Sequence, residues 1–151
     1  MQRPHVMLAC MLSIGALGLA VAPPSDARAS VSDQMIVKVN EVRAAHGLRA
    51  LRPSPSLSRS SGRFSRFLMA RDMFGHRARV SSGAPFRRLG EVLAMHSGRR
   101  AKIRLTIRQW LASPGHRAIV LSPIMRYVGA GKTTGRFRGH RATIWVLQAG
   151  K

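Results

Sequence analysis

The stretch Trp110-Leu111-Ala112-Ser113-Pro114-Gly115-His116-Arg117-Ala118-Ile119-Val120-Leu121 joins two predicted helices and carries a histidine. Apolar residues recur before and within it at helical spacing, which predicts a helix over about residues 100–112. Because a residue that precedes proline avoids the helical region, Ser113 ends this helix. Ser113 is also suited to N-cap a second helix, over about residues 114–121, that starts with proline. His116 is therefore expected in the first turn of the second helix.

The position of His116 at a helix start favours the neutral form of its ring. The partial positive charge of a helix N-terminus disfavours an imidazolium ion, and a neutral imidazole accepts a hydrogen bond or ligates a metal. His116 is therefore a candidate site residue. The alternative, from residue type alone, is that His116 only caps backbone groups of the helix.

Further short motifs stand in order on both sides of this stretch. They are Asn40-Glu41-Val42-Arg43, Gly47-Leu48, Leu51, Phe74-Gly75-His76 and Gly90-Glu91 before it, and Val128-Gly129-Ala130-Gly131 and Trp145-Val146 after it. Together they cover residues 34–148, and their order resembles that of the bacterial branch of the CAP superfamily. These are secreted domains related to cysteine-rich secretory proteins, antigen 5 and pathogenesis-related 1 proteins. The resemblance implies an α/β fold of CAP type: an α-β-α sandwich in which a small antiparallel sheet is flanked by helices.

The resemblance also implies a cleft with paired histidines. It assigns His76 and His116 to the pair, Glu91 to the carboxylate beside them, and Ser113 to a position where many eukaryotic members have a second glutamate. Two neutral imidazoles and one carboxylate suit a divalent cation such as zinc, with open positions for water. The same trio is also suited to act as acid and base. The alternative is a structural network in which Glu91 joins a strand to a helix through charge-assisted hydrogen bonds.

Residues 1–29 have the layout of a secretory signal peptide. Arg3 gives a positive start, residues 6–22 are apolar, and Ala27-Arg28-Ala29 is a small-x-small cleavage site. Cleavage after Ala29 would leave residues 30–151 as a single CAP domain, secreted or periplasmic. The apolar run also reaches the length of about 17–25 residues that spans a bilayer, so the alternative is an uncleaved membrane anchor.

The expected mature chain is of a usual size for one domain with one core. Cys10 is the only cysteine, and it would leave with the signal peptide. We therefore expect no disulfide and no disulfide-linked partner, and a monomer whose stability comes from packing.

The formal charge of +21 arises from 26 basic and five acidic residues. Without residues 1–29, 24 basic and four acidic residues remain, and the charge is +20. Arginine predominates, and its planar fork suits phosphate and carboxylate groups. This charge predicts binding to anionic polymers or lipids of the cell envelope, and non-specific binding to nucleic acid. The alternative is a compositional bias towards arginine on a solvated surface.

The remaining elements follow from caps and periodicity. Ser32 is expected to N-cap a first helix that ends at Gly47. After a proline-containing extended connection, apolar and small residues predict a second helix over about residues 57–69. A short strand over Glu91–Met95 and a hairpin with its turn within Thr134–Gly139 are predicted next to the central helices.

These features favour a secreted binding module over an enzyme. The acidic residues after residue 29 are only Asp33, Glu41, Asp72 and Glu91, which argues against hydrolysis by paired carboxylates. The alternative function is a metal-dependent hydrolase that uses His76, Glu91 and His116, with a phosphodiester or peptide substrate attracted by the arginines.

Overall fold

The structure of the protein is a computed structural model that describes residues 29–151. Residues 1–28 of the predicted signal peptide, and with them the alternative anchor, lie outside the described residues. The elements are α1 (Val31–Ala45), β1 (Arg52–Pro53), α2 (Pro55–Ala70), β2 (Leu89–Ser97), α3 (Ile103–Ala112), α4 (Pro114–Val120), β3 (Tyr127–Phe137) and β4 (His140–Gly150). Within residues 29–151, no helix combines the length and the apolar character needed to cross a bilayer.

The four strands form one mixed sheet in the order β1-β3-β4-β2. β4 runs antiparallel to both β3 and β2, and β1 adds a short parallel pair in which Arg52 lies beside Tyr127. The two residues of β1 are too few to show a strand pattern, and the sequence predicts only an extended connection there. The predicted α/β sandwich is confirmed, and β1 makes its sheet mixed rather than wholly antiparallel.

Helices cover both faces of the sheet. Successive side chains of a strand point to opposite faces of the sheet. The side chains of β4 therefore alternate between two apolar clusters, one on each face. One cluster joins Trp145 and Leu147 to residues of α1, α3 and α4, and the other joins Ile144 and Val146 to residues of α2. β4 is therefore buried throughout Ala142–Gly150, since a central strand covered on both faces has no solvent side.

The N-cap of α1 is Ser30, so the prediction of Ser32 is wrong. The Ser30 Oγ accepts a hydrogen bond from the Asp33 backbone N, and the Asp33 carboxylate accepts one from the Ser30 backbone N, both at 3.1 Å. This reciprocal capping box satisfies two backbone donors, which makes Ser30 the better cap. At the other end, Gly47 follows the helix with φ +68, as predicted.

α2 packs so closely against β3 that the backbones of the two elements are in contact. A Cβ added at Gly129 would lie 2.1 Å from the Ser58 backbone N, and one at Gly131 would lie 2.2 Å from the Gly62 backbone N. The Ser61 hydroxyl donates a hydrogen bond to the Gly129 carbonyl at 3.2 Å. Small residues on both elements therefore set the separation of this helix from the sheet.

The remaining bounds differ modestly from the predictions. β2 covers Leu89–Ser97 rather than Glu91–Met95, because all nine of its residues pair with β4. α3 begins at Ile103, about three residues later than predicted. The β3–β4 turn is Arg138-Gly139, inside the predicted window, with φ +47 and +81. Two-residue hairpin turns with positive φ match the twist of the flanking strands.

Candidate functional site

His76 lies in segment 71–88, which connects α2 to β2. The chain leaves α2 through Asp72, which has φ +50. The Asp72 Oδ1 accepts a hydrogen bond from the Arg138 backbone N at 2.6 Å. The start of this segment is thereby tied to the β3–β4 turn. The side chain of His76 is half exposed.

His116 is placed by the junction of α3 and α4. Ser113 ends α3 and begins α4, and His116 falls in the first turn of α4, as the sequence predicts. Within the described residues, however, the Ser113 side chain makes no capping hydrogen bond. α4 lies close to β2 at Gly90, where a Cβ would be 2.8 Å from Ile119 Cγ2. The glycine thus lets α4 approach the sheet closely.

The two histidines contact each other beside β2, which is an edge strand of the sheet. α2 and α4 flank opposite faces of the sheet, and His76 follows α2 while His116 belongs to α4. Their Nε2 atoms are 3.3 Å apart. Their ring centroids are 5.5 Å apart, and the ring planes are tilted by 55°. The structure therefore brings the paired histidines into contact around the edge of the sheet.

Glu91 is buried behind His76. Its Oε1 lies 3.4 Å from His76 Nδ1, a long hydrogen bond, and its Oε2 accepts a hydrogen bond from Gln148 Nε2 at 2.9 Å. Arg77 Nε forms an ion pair with the same Oε2 at 3.1 Å. Glu91 is thus on the Nδ1 side of His76, whereas His116 is on the Nε2 side. The trio is adjacent, but its carboxylate does not face the space between the two histidines.

Burial favours the neutral form of His116. The pKa of His116 is lowered by burial first, and then by its electrostatic interaction with the neighbouring His76 ring. The direction agrees with the sequence argument, and burial is the larger of the two causes seen in the structure. Within the described residues, no group of three or more His, Cys, Asp or Glu side chains is arranged to hold a metal ion.

Sequence reasoning did not identify two residues of this network, Arg77 and Gln148. Gln148 is completely buried on β4, directly opposite Glu91 in the strand register. Arg77 lies with its guanidinium 3.9 Å from the centroid of the Phe64 ring. The sequence does signal Gln148, because it is the polar residue within the apolar run Ile144–Ala149. Among the described residues, Gln148 Oε1 and the Nε and Nη2 atoms of Arg77 are buried without a hydrogen-bond partner, so the contact of Arg77 Nε with Glu91 is an ion pair without a hydrogen bond.

The family follows from a comparison with protein-family models. The model described as the cysteine-rich secretory protein family, CAP, matches residues 37–148, which include all of this cleft. The chain belongs to the CAP family. A search of curated protein sequences gives no significant match.

Solved CAP-type structures share the fold. An outer surface protein from Borrelia burgdorferi is 17% identical, with a TM-score of 0.64 over 78% of this chain and 90% of that one. An extracellular protein containing an SCP domain, from Bacillus anthracis, is 17% identical, with a TM-score of 0.64 over 80% of this chain and 40% of that one. A cysteine-rich secretory protein from Staphylococcus aureus is 13% identical, with a TM-score of 0.53 over 85% of this chain and 40% of that one. At these identities the likeness establishes the fold.

Proposed function

We propose that this CAP domain is an exported binding protein. Its cleft would hold a divalent cation such as zinc between His76 and His116, and its basic surface would attach it to anionic components of the cell envelope. The observation that carries the cation site is the 3.3 Å separation of the two Nε2 atoms.

This separation fits two ligands of one metal ion. Zinc lies about 2.0–2.1 Å from imidazole nitrogens, so two such nitrogens in tetrahedral geometry are about 3.3–3.4 Å apart. Water or a small ligand would fill the remaining positions. With two protein ligands and no thiolate, we expect an affinity in the micromolar range or weaker.

In this proposal Glu91 supports the site from outside the coordination sphere. A carboxylate that accepts a hydrogen bond from His76 Nδ1 leaves the Nε2 lone pair free for the metal, as in carboxylate–histidine–metal arrangements. The expectation that Glu91 is itself a ligand is therefore replaced by a positioning role. Gln148 and Arg77 hold the other carboxylate oxygen.

Calorimetric titration with zinc chloride tests the cation site. We expect one weak site in the wild type, and no detectable binding in His76→Ala or His116→Ala, because one imidazole remains in each. His140→Ala is the matched control, since His140 is an exposed histidine on the β3–β4 hairpin. Glu91→Gln should weaken binding by about 10- to 100-fold. Equal zinc binding by the wild type and the His76→Ala, His116→Ala double variant would refute the site.

Export is supported by the predicted signal peptide and by two relatives. The B. burgdorferi protein is described as an outer surface protein, and the B. anthracis protein as extracellular. We extend this location to the present chain as part of the proposal.

The basic surface is supported by the exposure of its arginines. Every arginine in the described residues is exposed except Arg43, which is buried, and Arg77, which is partly buried. The four acidic residues are engaged: Asp33 in a cap, Glu41 with Lys38, Asp72 with a backbone N, and Glu91 in the cleft. Most of the positive charge therefore faces solvent without an acidic partner, as binding to an anionic surface requires.

A further inference from the structure

Three large apolar side chains are exposed together where α2 ends and segment 71–88 begins. Phe67 is 47% exposed, Met73 is 54% exposed and Phe74 is 43% exposed. All three border one open cavity of about 340 Å³, which His76 also lines. We name Phe67, Met73 and Phe74 the apolar rim. Contiguous exposed apolar groups of this kind mark interaction sites on soluble domains.

Phe67, the member of the apolar rim that belongs to α2, is exposed although neighbouring side chains of this helix are buried. Phe64, one turn before Phe67, is 8% exposed and belongs to the core cluster on this face of the sheet. The two rings are stacked with their centroids 6.2 Å apart, so Phe67 extends the core outwards into solvent. The core is complete without the rim, which leaves these side chains available for a partner.

Arginines surround the apolar rim. Arg63 and Arg66 are exposed on α2 within one turn of Phe67. The Arg71 guanidinium lies 5.9 Å from the centroid of the Phe67 ring, and Arg138 lines the cavity from the β3–β4 turn. α2 contains no acidic residue. The acid that follows it, Asp72, is already bonded to the Arg138 backbone N.

We infer that the apolar rim and its arginines form a docking surface for a lipid bilayer that carries anionic headgroups. The inference rests on the proposed attachment to the envelope and names the surface and partner for it. Apolar side chains gain free energy by entering the boundary between headgroups and acyl chains. Arginines around them bind lipid phosphates, each contributing about a fivefold gain in affinity. A nucleic-acid backbone would account for the arginines but not for Met73, which has no ring to stack on a base.

Vesicle co-sedimentation of the full chain tests the surface. The probes are vesicles of phosphatidylcholine alone, vesicles that also contain phosphatidylglycerol and, in a separate binding assay, single-stranded DNA. The Phe67→Ser, Phe74→Ser double variant and the Arg63→Gln, Arg66→Gln, Arg71→Gln triple variant remove the two parts of the surface. The Arg99→Gln, Arg104→Gln, Arg108→Gln triple variant is the matched control. It removes the same charge from α3 and, through Arg99, from the loop that precedes α3. All variants keep the same N-terminal segment.

We expect the wild type to bind the anionic vesicles more tightly than the neutral ones. The Arg63, Arg66 and Arg71 substitutions together should weaken this binding by about 100-fold. The matched control should weaken it by less than about fivefold, because Arg104 and Arg108 lie on α3, which packs on the opposite face of the sheet from α2, and charges are screened beyond about 8–10 Å. The serine variant should also bind more weakly than the control.

Tryptophan fluorescence provides a second measurement that does not depend on removing charge. Trp110 and Trp145 are 1% and 0% exposed, so a tryptophan introduced at the rim would be an exposed reporter. In Phe74→Trp, we expect emission to shift to shorter wavelength on anionic vesicles and to be quenched by brominated acyl chains. Val37→Trp is the control, since Val37 is 55% exposed on α1, on the other side of the sheet.

The outcomes separate this inference from the broader proposal. Equal vesicle binding by the double serine variant, the Arg63→Gln, Arg66→Gln, Arg71→Gln triple variant and the matched control would overturn the docking surface, while the general attraction to anions would stand. Wild-type binding to single-stranded DNA without preference for anionic vesicles would overturn the lipid partner. If the wild type bound neither anionic vesicles nor single-stranded DNA, both the docking surface and the envelope attachment would be overturned. Weaker vesicle binding in the double serine variant and in the Arg63→Gln, Arg66→Gln, Arg71→Gln triple variant but not in the matched control, with quenching in Phe74→Trp but not in Val37→Trp, would support the inference.

Discussion

His96 is a buried histidine that lies outside the cleft and faces α3. Its Nε2 is 2.7 Å from the Thr106 Oγ1, and the same hydroxyl donates a hydrogen bond to the Lys102 carbonyl at 3.1 Å. The His96 Nε2–H therefore donates to Thr106. The pKa of His96 is lowered by burial first, and then by the positive charge of Lys102.

We predict that His96 makes the free energy of unfolding depend on pH. Its pKa in the folded state lies below the unfolded value of about 6.5, so the unfolded chain binds more protons. Its contribution to stability is therefore complete above about pH 6.5 and is lost as the pH falls below that value, by up to about 1.4 kcal/mol per pH unit.

Urea unfolding at several pH values between about 5 and 8 measures this dependence. His96→Gln retains a donor for Thr106 but has no proton to gain, so its stability should fall less steeply with acidification. His116, whose pKa is lowered in the same direction, should leave a residual slope in the variant. Parallel stability curves for wild type and variant would contradict the prediction.

At the scale of single residues, the sequence predicts which residues belong to short motifs but not which residues distant in sequence they contact. His76, Glu91 and His116 could be predicted because each stands in a local motif with a family counterpart. Arg77 and Gln148 could not be predicted, because their roles depend on the β2–β4 register and on where segment 71–88 lies. The side of His76 on which Glu91 sits likewise depends on side-chain geometry that no spacing encodes.

At the scale of elements, helices were predicted more reliably than strands. The apolar periodicity of α1, α2 and α3 and the Ser-Pro boundary between α3 and α4 are local signals. β1 has only two residues, and the ends of β2 are fixed by pairing with β4, about 50 residues away in sequence. The close contact of α2 with β3 is a second long-range feature, signalled only by the spacing of Gly129 and Gly131.

We predict that alanine at Gly129 or Gly131 destabilises the domain by displacing α2. The added methyl group would lie within 2.1–2.5 Å of α2 atoms, mostly backbone, which cannot rotate away. Overpacking of this kind costs about 1–3 kcal/mol, measured as a lower midpoint of thermal unfolding.

Gly115→Ala is the matched control for these substitutions. Gly115 lies in α4, and a Cβ there would meet no heavy atom of the described residues within 4 Å. Alanine should therefore be neutral or stabilise the helix by up to about 1 kcal/mol. If all three variants had the wild-type midpoint, the α2–β3 contact would not be as close as the glycines indicate.

For the molecule as a whole, the start of α1 coincides with the predicted cleavage site. Cleavage after Ala29 would make Ser30 the first residue, and Ser30 is the N-cap whose backbone N donates to the Asp33 carboxylate. The new amino group would keep this acceptor, so the capping box would survive processing. The predicted signal peptide could thus be removed at the boundary of the fold without loss of helical structure.

We predict that the exported protein begins at Ser30. N-terminal sequencing of protein recovered from the periplasm or the medium measures this, with a cytoplasmic sample that retains Met1 as the control. A chain that retains Met1 and is recovered entirely with membranes would instead indicate the anchor.

The position of β4 has a consequence for when this protein can fold. β4 lies between β3 and β2 in the sheet, yet a ribosome makes it after every other described element. Until it emerges, β2 and β3 have no strand between them, and both apolar clusters lack their β4 residues. The four-stranded sheet can therefore close only after synthesis has passed residue 150. If the protein is exported as proposed, this delay would help to keep the chain unfolded for passage through a translocation channel.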